Sequence, residues 1–319
     1  MARIAYLGPE GTFTEAALLH MTSVGLIPDQ ARDALRQLPI ESTPAALDAV
    51  RSGAADYACV PIENSIDGSV MATLDSLAIS SQLQIFGEVT LDVAFSIAVK
   101  PGRSAADVQT VAAFPVAAAQ VRQWLSARLP GAELRPAYSN ADAARQVAEG
   151  QADAAVTSPL AAAHWELATL ADGVVDEPNA RTRFVLVGLP APPPASTGAD
   201  RTAVVLRIVN APGALLAALA EFGIRGIDLT RIESRPTRTE LGTYLFFIDC
   251  VGHIDDDAVA EALKALHRRC VDVRYLGSWP TGSATGVGPP PADEASSWLA
   301  RLRAGKPEQE ASGSGGFER

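Results

Sequence analysis

Four short segments of the sequence place hydroxyl, amide or carboxylate groups beside an apolar strand. They are GPEGTFTEAA at 8–17, PIENSIDGSV at 61–70, TSPLAAA at 157–163 and NARTRFVLVG at 179–188. In the first three, a helix is predicted to follow the strand, and free N–H groups at a helix N-terminus favour an anion by about 0.3 to 1 kcal/mol. Several such termini converging on one cleft could bind a dicarboxylate, even in a protein with a net charge of −11.

Each segment also has an ordinary structural explanation. Hydroxyls such as those of Thr12 and Ser65 commonly cap helices, and an arginine at the start of a strand can extend into solvent. Two observations favour function. Glu63 and Asn64 come directly after the apolar strand YACVPI, and Thr182 comes where the chain is expected to cross between two lobes. We therefore expect the Thr182 segment and the Glu63 segment to face each other across a cleft.

Composition excludes several classes of protein. The 26 basic residues are scattered among 37 acidic ones, which argues against a nucleic-acid partner. No apolar run reaches the roughly 20 residues of a membrane span, and the N-terminus enters a strand without signal-peptide features, so we expect a cytoplasmic protein without a membrane partner. Cys59, Cys250 and Cys270 lack paired spacing and the four histidines stand alone, so no metal site is expected.

The first 189 residues alternate predicted strands and helices, which indicates α/β structure with parallel sheets. An internal repeat supports two similar halves: residues 38–58 align without gaps on residues 135–155, each with a serine cap, an amphipathic helix, a glycine and a buried strand. We predict one lobe over about 1–80 and 170–189 and a second over about 85–165. The crossings between them should leave a ligand cleft.

A proline-rich segment over 190–200 is predicted to link this unit to a second one. Residues 201–279 read strand, helix, strand, strand, helix, strand, which is the ferredoxin-like βαββαβ order. Residues 280–319 are polar and small and are predicted to be disordered, apart from a short helical turn near 297–302.

These motifs together resemble a known family. GPEGTFTEAA, PIENSIDGSV and ARTRF, followed by NAPGALLAAL and RIESRP, are similar to prephenate dehydratase with a C-terminal regulatory ACT domain. The resemblance covers nearly all residues up to 279. It implies a two-lobed fold like type II periplasmic binding proteins, conversion of prephenate to phenylpyruvate, water and carbon dioxide without a cofactor, and feedback regulation by phenylalanine. It also implies a homodimer or homotetramer, because ACT sites usually form between subunits.

The resemblance also implies roles for individual residues. Thr182 would be the essential threonine, Arg183 would hold a carboxylate, and Glu63 would belong to the catalytic set. The other expected substrate-binding residues are Thr12, Asn64, Ser65, Gly68, Gln120, Thr157, Ser158 and Phe184, the last as an apolar wall. The expected phenylalanine-binding residues are Asn210, Gly213, Ala214, Leu215, Leu216, Glu233, Ser234, Arg235 and Pro236. Two positions depart from the family pattern, with Phe114 where many relatives have histidine and Asn140 where a hydroxyl residue is common.

Several alternatives stay open at this point. Thr182 could donate a hydrogen bond or a proton to the departing hydroxyl, but a protonated Glu63 with a raised pKa is a competing donor. Gly213 could serve only for close packing and Arg235 only as a solvated charge. An arogenate-preferring dehydratase would use the same groups, and a two-lobed, amino-acid-responsive sensor is the rival from a class without enzymatic activity.

Overall fold

The computed structural model describes residues 2–27, 35–79, 82–238, 242–282, 286–289 and 294–305. The first lobe is built on a sheet with strand order β2-β1-β3-β11-β5, with the short β4 paired to β3. Its elements before the first crossing are β1 (Ala2–Leu7), α1 (Phe13–Ser23), β2 (Leu35–Ile40), α2 (Thr43–Arg51), β3 (Tyr57–Asn64), β4 (Gly68–Ser69), α3 (Met71–Ile79) and β5 (Gln84–Asp92).

The second lobe has a sheet with strand order β10-β6-β9-β7-β8. Its elements are β6 (Phe95–Val99), a 3-10 turn (Ala105–Asp107), β7 (Thr110–Ala113), α4 (Pro115–Gln120), α5 (Arg122–Arg128), β8 (Glu133–Pro136), α6 (Asn140–Ala148), β9 (Ala154–Thr157), α7 (Pro159–His164) and β10 (Ala168–Val174). The chain then returns to the first lobe as β11 (Arg181–Gly188). The two-lobed α/β fold is confirmed, but each sheet is mixed: β11 runs antiparallel to β3 and β5, and β6 runs antiparallel to β9 and β10.

The lobe boundaries differ from the sequence expectation. Residues 85–92, assigned to the second lobe, lie in β5 of the first lobe, and the second lobe begins with β6 after residues 93–94. Strand β10 also belongs to the second lobe, although most of it was assigned to the first. The cause is that an apolar sequence such as LDVAFSIAV suits either sheet, and periodicity does not show which sheet a strand joins.

The internal repeat is present in three dimensions. Ser42 and Ser139 cap α2 and α6 by accepting hydrogen bonds from backbone N–H groups three residues ahead, at 3.3 and 2.9 Å. Asp56 and Asp153, also equivalent, each accept a backbone N–H from a neighbouring strand, at 2.8 and 2.9 Å. One supersecondary unit therefore supplies corresponding loops in both lobes.

The C-terminal unit has the predicted βαββαβ order, in a sheet arranged β13-β14-β12-β15. Its elements are β12 (Asp200–Arg207), α8 (Ala214–Gly223), β13 (Leu229–Pro236), β14 (Tyr244–Val251), α9 (Asp257–Arg269) and β15 (Asp272–Pro280). One face of the sheet packs on α8 and α9, and the other shares a core with the first lobe, joining Val205, Phe247 and Trp279 to Val185 and Val187.

The last described element is a helix, α10 (Glu294–Arg303). It contains the predicted turn at 297–302 and differs from the disorder expected for that part of the tail. Residues 283–285, 290–293 and 306–319 of the predicted tail lie outside the described residues. Among the described residues, no helix is both long and apolar enough to cross a membrane.

Candidate functional site

The strands that carry PIENS and TRF are direct neighbours. In the antiparallel β3–β11 pair, Thr182 lies opposite Asn64 and Arg183 lies opposite Glu63. The two segments therefore lie side by side in one sheet, and the expectation that they face each other across a cleft is wrong. The reason is that the chain returns from the second lobe as β11, which joins the first-lobe sheet between β3 and β5.

A β-bulge at Ile62 sets which of these four residues share a face of the sheet. Glu63 pairs with Arg183 while Pro61 pairs with Phe184, so Ile62 is the extra residue. The Glu63 carboxylate lies 2.9 Å from the Arg183 guanidinium, and Asn64 instead contacts Thr182. The bulge thus places Asn64 with Thr182 as a polar pair on one face and Glu63 with Arg183 as a charged pair on the other.

The Asn64–Thr182 pair has a defined direction of hydrogen bonding. Asn64 Oδ1 accepts the backbone N–H groups of Ile66 at 2.8 Å and Asp67 at 3.0 Å. This identifies the opposite atom as the amide nitrogen, which donates to Thr182 Oγ1 at 2.8 Å. Because Thr182 accepts in this bond, its own proton is free to point elsewhere.

Ser65 and Gly68 shape the loop beside this pair. Ser65 Oγ donates to the Asn179 carbonyl at 3.0 Å and accepts the Arg181 N–H at 2.8 Å. These bonds attach residues 175–180, the crossing segment between β10 and β11, to the end of β3. Gly68 has φ of +80° and permits the tight turn into β4. Ser65 therefore positions the chain just before Thr182, and Gly68 permits the turn that pairs β4 with Asn64.

Arg183 and Phe184 do not point where the resemblance implied. Arg183 is 7% exposed, and its guanidinium binds Glu88 at 3.1 Å and Asp249 of the C-terminal unit at 2.9 Å, in addition to Glu63. Burial alone would lower the pKa of Arg183, but Asp249, Glu88 and Glu63 outweigh it and raise that pKa. Arg183 is thus occupied by protein carboxylates instead of being open to a substrate carboxylate.

Phe184 is likewise part of the core and not the wall of a cleft. It is 2% exposed and packs in the cluster that holds Tyr6 and Leu18 beneath α1. Side chains of successive strand residues point to opposite faces, so Thr182 and Phe184 share the α1 face while Arg183 points to the C-terminal unit. This alternation is why the three residues of TRF cannot line one site together.

A cavity of about 730 Å³ opens between the lobes, within the size range of small-molecule sites. It lies where β1, β2 and β8 end and α1, α2, α4 and α6 begin. Its lining residues are Leu7, Gly8, Pro9, Thr12, Phe13, Thr14, Pro39, Ile40, Glu41, Phe114, Tyr138, Ser139, Asn140 and Asp142. Thr182 is not among them, but Phe13, the first residue of α1, connects the cavity to the α1 face of the sheet that carries Thr182.

The remaining predicted substrate residues surround this region. Thr12 lines the cavity and caps α1, accepting the Glu15 N–H. Thr157 is fully buried and donates to the Asn140 carbonyl at 2.7 Å. Ser158 caps α7, accepting the Ala161 N–H at 3.0 Å, and also donates to the Gly11 carbonyl across the lobes. Thr12 therefore has the helix-capping role considered for it and Ser158 also caps a helix, whereas Thr157 bonds a backbone carbonyl instead.

Gln120 has a property that suits a ligand contact. It is 9% exposed, and among the described residues its side-chain oxygen has no hydrogen-bond partner. Its backbone carbonyl accepts the Asp176 N–H at 2.7 Å, so it lies beside the crossing segment that leads to Thr182. A buried acceptor without a partner is uncommon and costs free energy unless a ligand or water satisfies it.

Sequence reasoning missed most of the cavity lining. Pro39–Glu41 lie in the first copy of the internal repeat, and Tyr138, Ser139, Asn140 and Asp142 lie in the second, with Glu41 aligned on Tyr138. The repeat itself was therefore the signal that could have identified them. The two copies face one cavity because each repeat ends its first strand at the junction between the lobes.

The predicted effector residues fall into two groups. Asn210, Gly213 and Leu216 are exposed in the loop and first turn leading into α8, with Ala214 and Leu215 half-buried there. On β13, Glu233 accepts a hydrogen bond from Ser69 at 3.2 Å and Arg235 pairs with Asp75 at 2.9 Å, both in the first lobe. Ser234 and Pro236 alternate with them and are exposed.

Comparisons with known proteins agree on one family. A family model described as prephenate dehydratase matches residues 4–191, and one described as ACT domain matches residues 202–268. A curated prephenate dehydratase of Mycobacterium tuberculosis is 80% identical over 309 residues, which cover 97% of this chain and 96% of the relative. One of Mycobacterium leprae is 79% identical over 318 residues, 99% of each chain. A solved prephenate dehydratase from Arthrobacter aurescens, in complex with L-Phe, has a TM-score of 0.84 and 38% identity, covering 95% of this chain and 98% of its own.

Proposed function

The chain belongs to the prephenate dehydratase family, and on that premise we propose that it converts prephenate to phenylpyruvate, water and carbon dioxide. Loss of the ring carboxylate and of the ring hydroxyl leaves an aromatic ring, so the substrate itself supplies the driving force. The protein has to hold two carboxylates and stabilise the leaving hydroxyl.

The direction of the Asn64–Thr182 hydrogen bond is the observation that carries the proposed mechanism. Thr182 accepts from Asn64 at 2.8 Å, so its proton is available to the oxygen that leaves. A hydrogen bond from Thr182 would strengthen as negative charge develops on that oxygen, which lowers the barrier selectively. Glu63, the alternative donor, binds Arg183 on the other side of the sheet, which favours Thr182.

We propose that the substrate lies between the cavity and the Thr182 pair. Thr12 and Ser139 mark the N-termini of α1 and α6 beside the cavity, and the backbone N–H groups there suit the carboxylates. Gln120, with its buried free acceptor, would receive a donor from the substrate or from an ordered water.

We further propose regulation and assembly through the ACT unit. The Arthrobacter aurescens relative is described in complex with L-Phe, and the exposed loop at Asn210–Leu216 would bind phenylalanine here together with a second subunit. Strand β13 is one edge of the ACT sheet, with Ile232 exposed on it, so a homodimer or homotetramer would cover this surface.

We also propose a cytoplasmic location. The free thiols of Cys59, Cys250 and Cys270 suit that reducing compartment.

The test compares Thr182→Val with Thr182→Ser. Valine preserves the shape and removes the hydroxyl, whereas serine retains the hydroxyl. We expect purified wild type and Thr182→Ser to form phenylpyruvate from prephenate, and Thr182→Val to lose at least about tenfold in kcat with an unchanged unfolding temperature.

Four outcomes would reject parts of this proposal. A folded Thr182→Val variant with wild-type kcat would remove Thr182 from the mechanism. A wild type that forms phenylalanine from arogenate faster than phenylpyruvate from prephenate would identify arogenate as the substrate, and no product from either would favour the sensor. Calorimetry with phenylalanine, tyrosine and tryptophan would test the effector site, and no heat with phenylalanine would count against it.

A further inference from the structure

A buried group of charged residues joins the strand of Thr182 to the ACT unit. We call it the interdomain network, consisting of Glu63, Glu88, Arg183, Arg201, Arg231 and Asp249. Arg231 donates two hydrogen bonds to the Asp249 carboxylate, at 2.9 and 2.8 Å, and Arg183 donates to the same carboxylate. Glu88 of β5 forms ion pairs with Arg183 and Arg201. It also accepts a hydrogen bond from the Trp279 indole N–H at 3.0 Å.

The network is balanced in charge, with three arginines against three carboxylates. All its side chains except Glu63 are at least nine-tenths buried, and Asp249 is 1% exposed. Removing one member of a buried group leaves an uncompensated charge, which is far more destabilising than removing a matched pair. Because an unpaired charge here is so costly, Arg183 has to keep its contacts with both Glu88 and Asp249.

Arg183 is the member that links this network to the candidate site. It follows Thr182 directly in β11, and its guanidinium extends to the ACT unit while Thr182 faces Asn64. Asp249 pairs across strands with Arg231, which lies on β13 two residues before Glu233 of the predicted effector motif. A displacement of β13 or β14 would therefore act on Arg183 and on the backbone that sets the position of Thr182.

We propose that Arg183 is a positioning residue that holds Thr182 in place through Asp249, so that the ACT sheet sets the turnover number of the candidate site. This rests on the proposed function, but it assigns Arg183 a role other than binding a substrate carboxylate. Arg183 keeps β11 in place by bridging Glu88 in the same sheet and Asp249 in the ACT sheet.

The experiment is a double-mutant cycle with Arg183→Gln and Asp249→Asn. Each single variant should lower kcat at least about tenfold with KM changed less than about twofold, because an interaction outside the substrate affects turnover and not binding. The double variant restores the charge balance, so it should lose no more kcat than the worse single variant. Its unfolding temperature should exceed the value expected from adding the two single effects.

Asp75→Asn is the matched control. Asp75 also pairs across the two units, with Arg235 at 2.9 Å, but it lies on α3 and not on the strand of Thr182. Its kcat should stay within about twofold of wild type. Phenylalanine titrations on the same variants should show inhibition weakened at least about fivefold in Asp249→Asn.

Four results would overturn the proposal while wild type remains active. They are a raised KM with unchanged kcat in Arg183→Gln, equal kcat for Asp249→Asn and Asp75→Asn, unweakened phenylalanine inhibition in Asp249→Asn, or additive losses in the double variant. If Arg183→Gln does not fold, Arg183→Lys keeps the charge but replaces the two nitrogens that bind Glu88 and Asp249 by a single one. A wild-type kcat in Arg183→Lys would equally refute the proposal. Absence of turnover in wild type would refute the proposed function instead, and the unfolding temperatures would still test the coupling of Arg183 and Asp249.

Discussion

Replacing Asn64 by aspartate should reverse the hydrogen bond to Thr182 without changing the shape of the side chain. One carboxylate oxygen would keep the backbone N–H groups of Ile66 and Asp67, now held at 2.8 and 3.0 Å. The other would replace the amide nitrogen that lies 2.8 Å from Thr182 Oγ1, and it can only accept. Thr182 would then donate its proton to this carboxylate and not to the leaving oxygen.

The size of the effect follows from the bond that is lost. A hydrogen bond to a charged group contributes about 1.5 to 3 kcal/mol, and about 1.4 kcal/mol corresponds to tenfold in rate. Asn64→Asp should therefore lower kcat by about 10- to 150-fold, measured by the formation of phenylpyruvate from prephenate. The rate should recover in part as pH falls toward about 4, because a protonated carboxyl can again donate to Thr182.

Asn179→Asp is the control for the added charge. Asn179 lies in the crossing segment just before Thr182, has an exposed side chain and contacts Ser65 through its backbone carbonyl. It should retain kcat within about twofold. The reasoning would be refuted if Asn64→Asp and Asn179→Asp had equal kcat, or if the loss in Asn64→Asp persisted unchanged at low pH in a folded protein.

Three further predictions concern contacts between the two lobes and contacts of the ACT unit with the first lobe. Gly11→Ala should reduce activity more than Gly53→Ala. Both glycines have positive φ, but only the Cβ added at Gly11 would meet α7, where it would lie 2.8 Å from Ala161 Cβ. Equal activities of the two variants would contradict this. Gly277→Ala should lower the free energy of unfolding in urea denaturation by about 3 kcal/mol or more, against about 1 to 2 kcal/mol for Gly53→Ala. The reason is that a Cβ added at Gly277 would overlap the backbone oxygen of Ile85 in β5, whereas one added at Gly53 meets nothing within 4 Å. The Arg231 and Arg183 charges outweigh burial and lower the pKa of Asp249, so wild type should exceed Asp249→Asn in stability at pH 7, and this difference should shrink as pH falls below the ordinary value of 3.8. A difference that does not depend on pH would contradict that assignment.

The features predictable from the sequence are those set by local pattern. The serine caps, the repeat and the βαββαβ order each depend on residues close together in the chain. The partners of Arg183 were not predictable in this way, because Asp249 lies 66 residues away in another unit. A signal was present nonetheless: Glu88 in FGEV and Asp249 in FFIDCV are charges inside apolar strands, and such charges are seldom buried unless they are paired.

The β-bulge at Ile62 explains why the roles of Glu63 and Asn64 were harder to assign. Ala58, Val60 and Ile62 pack on the side of the ACT unit, so strict alternation would put Asn64 on that side and Glu63 beside Thr182. The extra residue exchanges the two, and nothing in the apolar pattern YACVPI marks its position. A prediction of proton donor from alternation alone would have selected the glutamate.

This exchange gives the junction of β3 and β11 two separate functions at one level of the sheet. Asn64 and Thr182 form a neutral pair whose free proton suits a departing hydroxyl, and Glu63 and Arg183 form a charged pair that continues into the ACT unit. Because adjacent strand residues point to opposite faces, a shift of β11 that alters the contacts of Arg183 also displaces Thr182. Coupling between the ACT unit and the site therefore needs no chain of intermediates, since a single peptide bond joins the residue that faces the site to the residue that contacts the ACT unit.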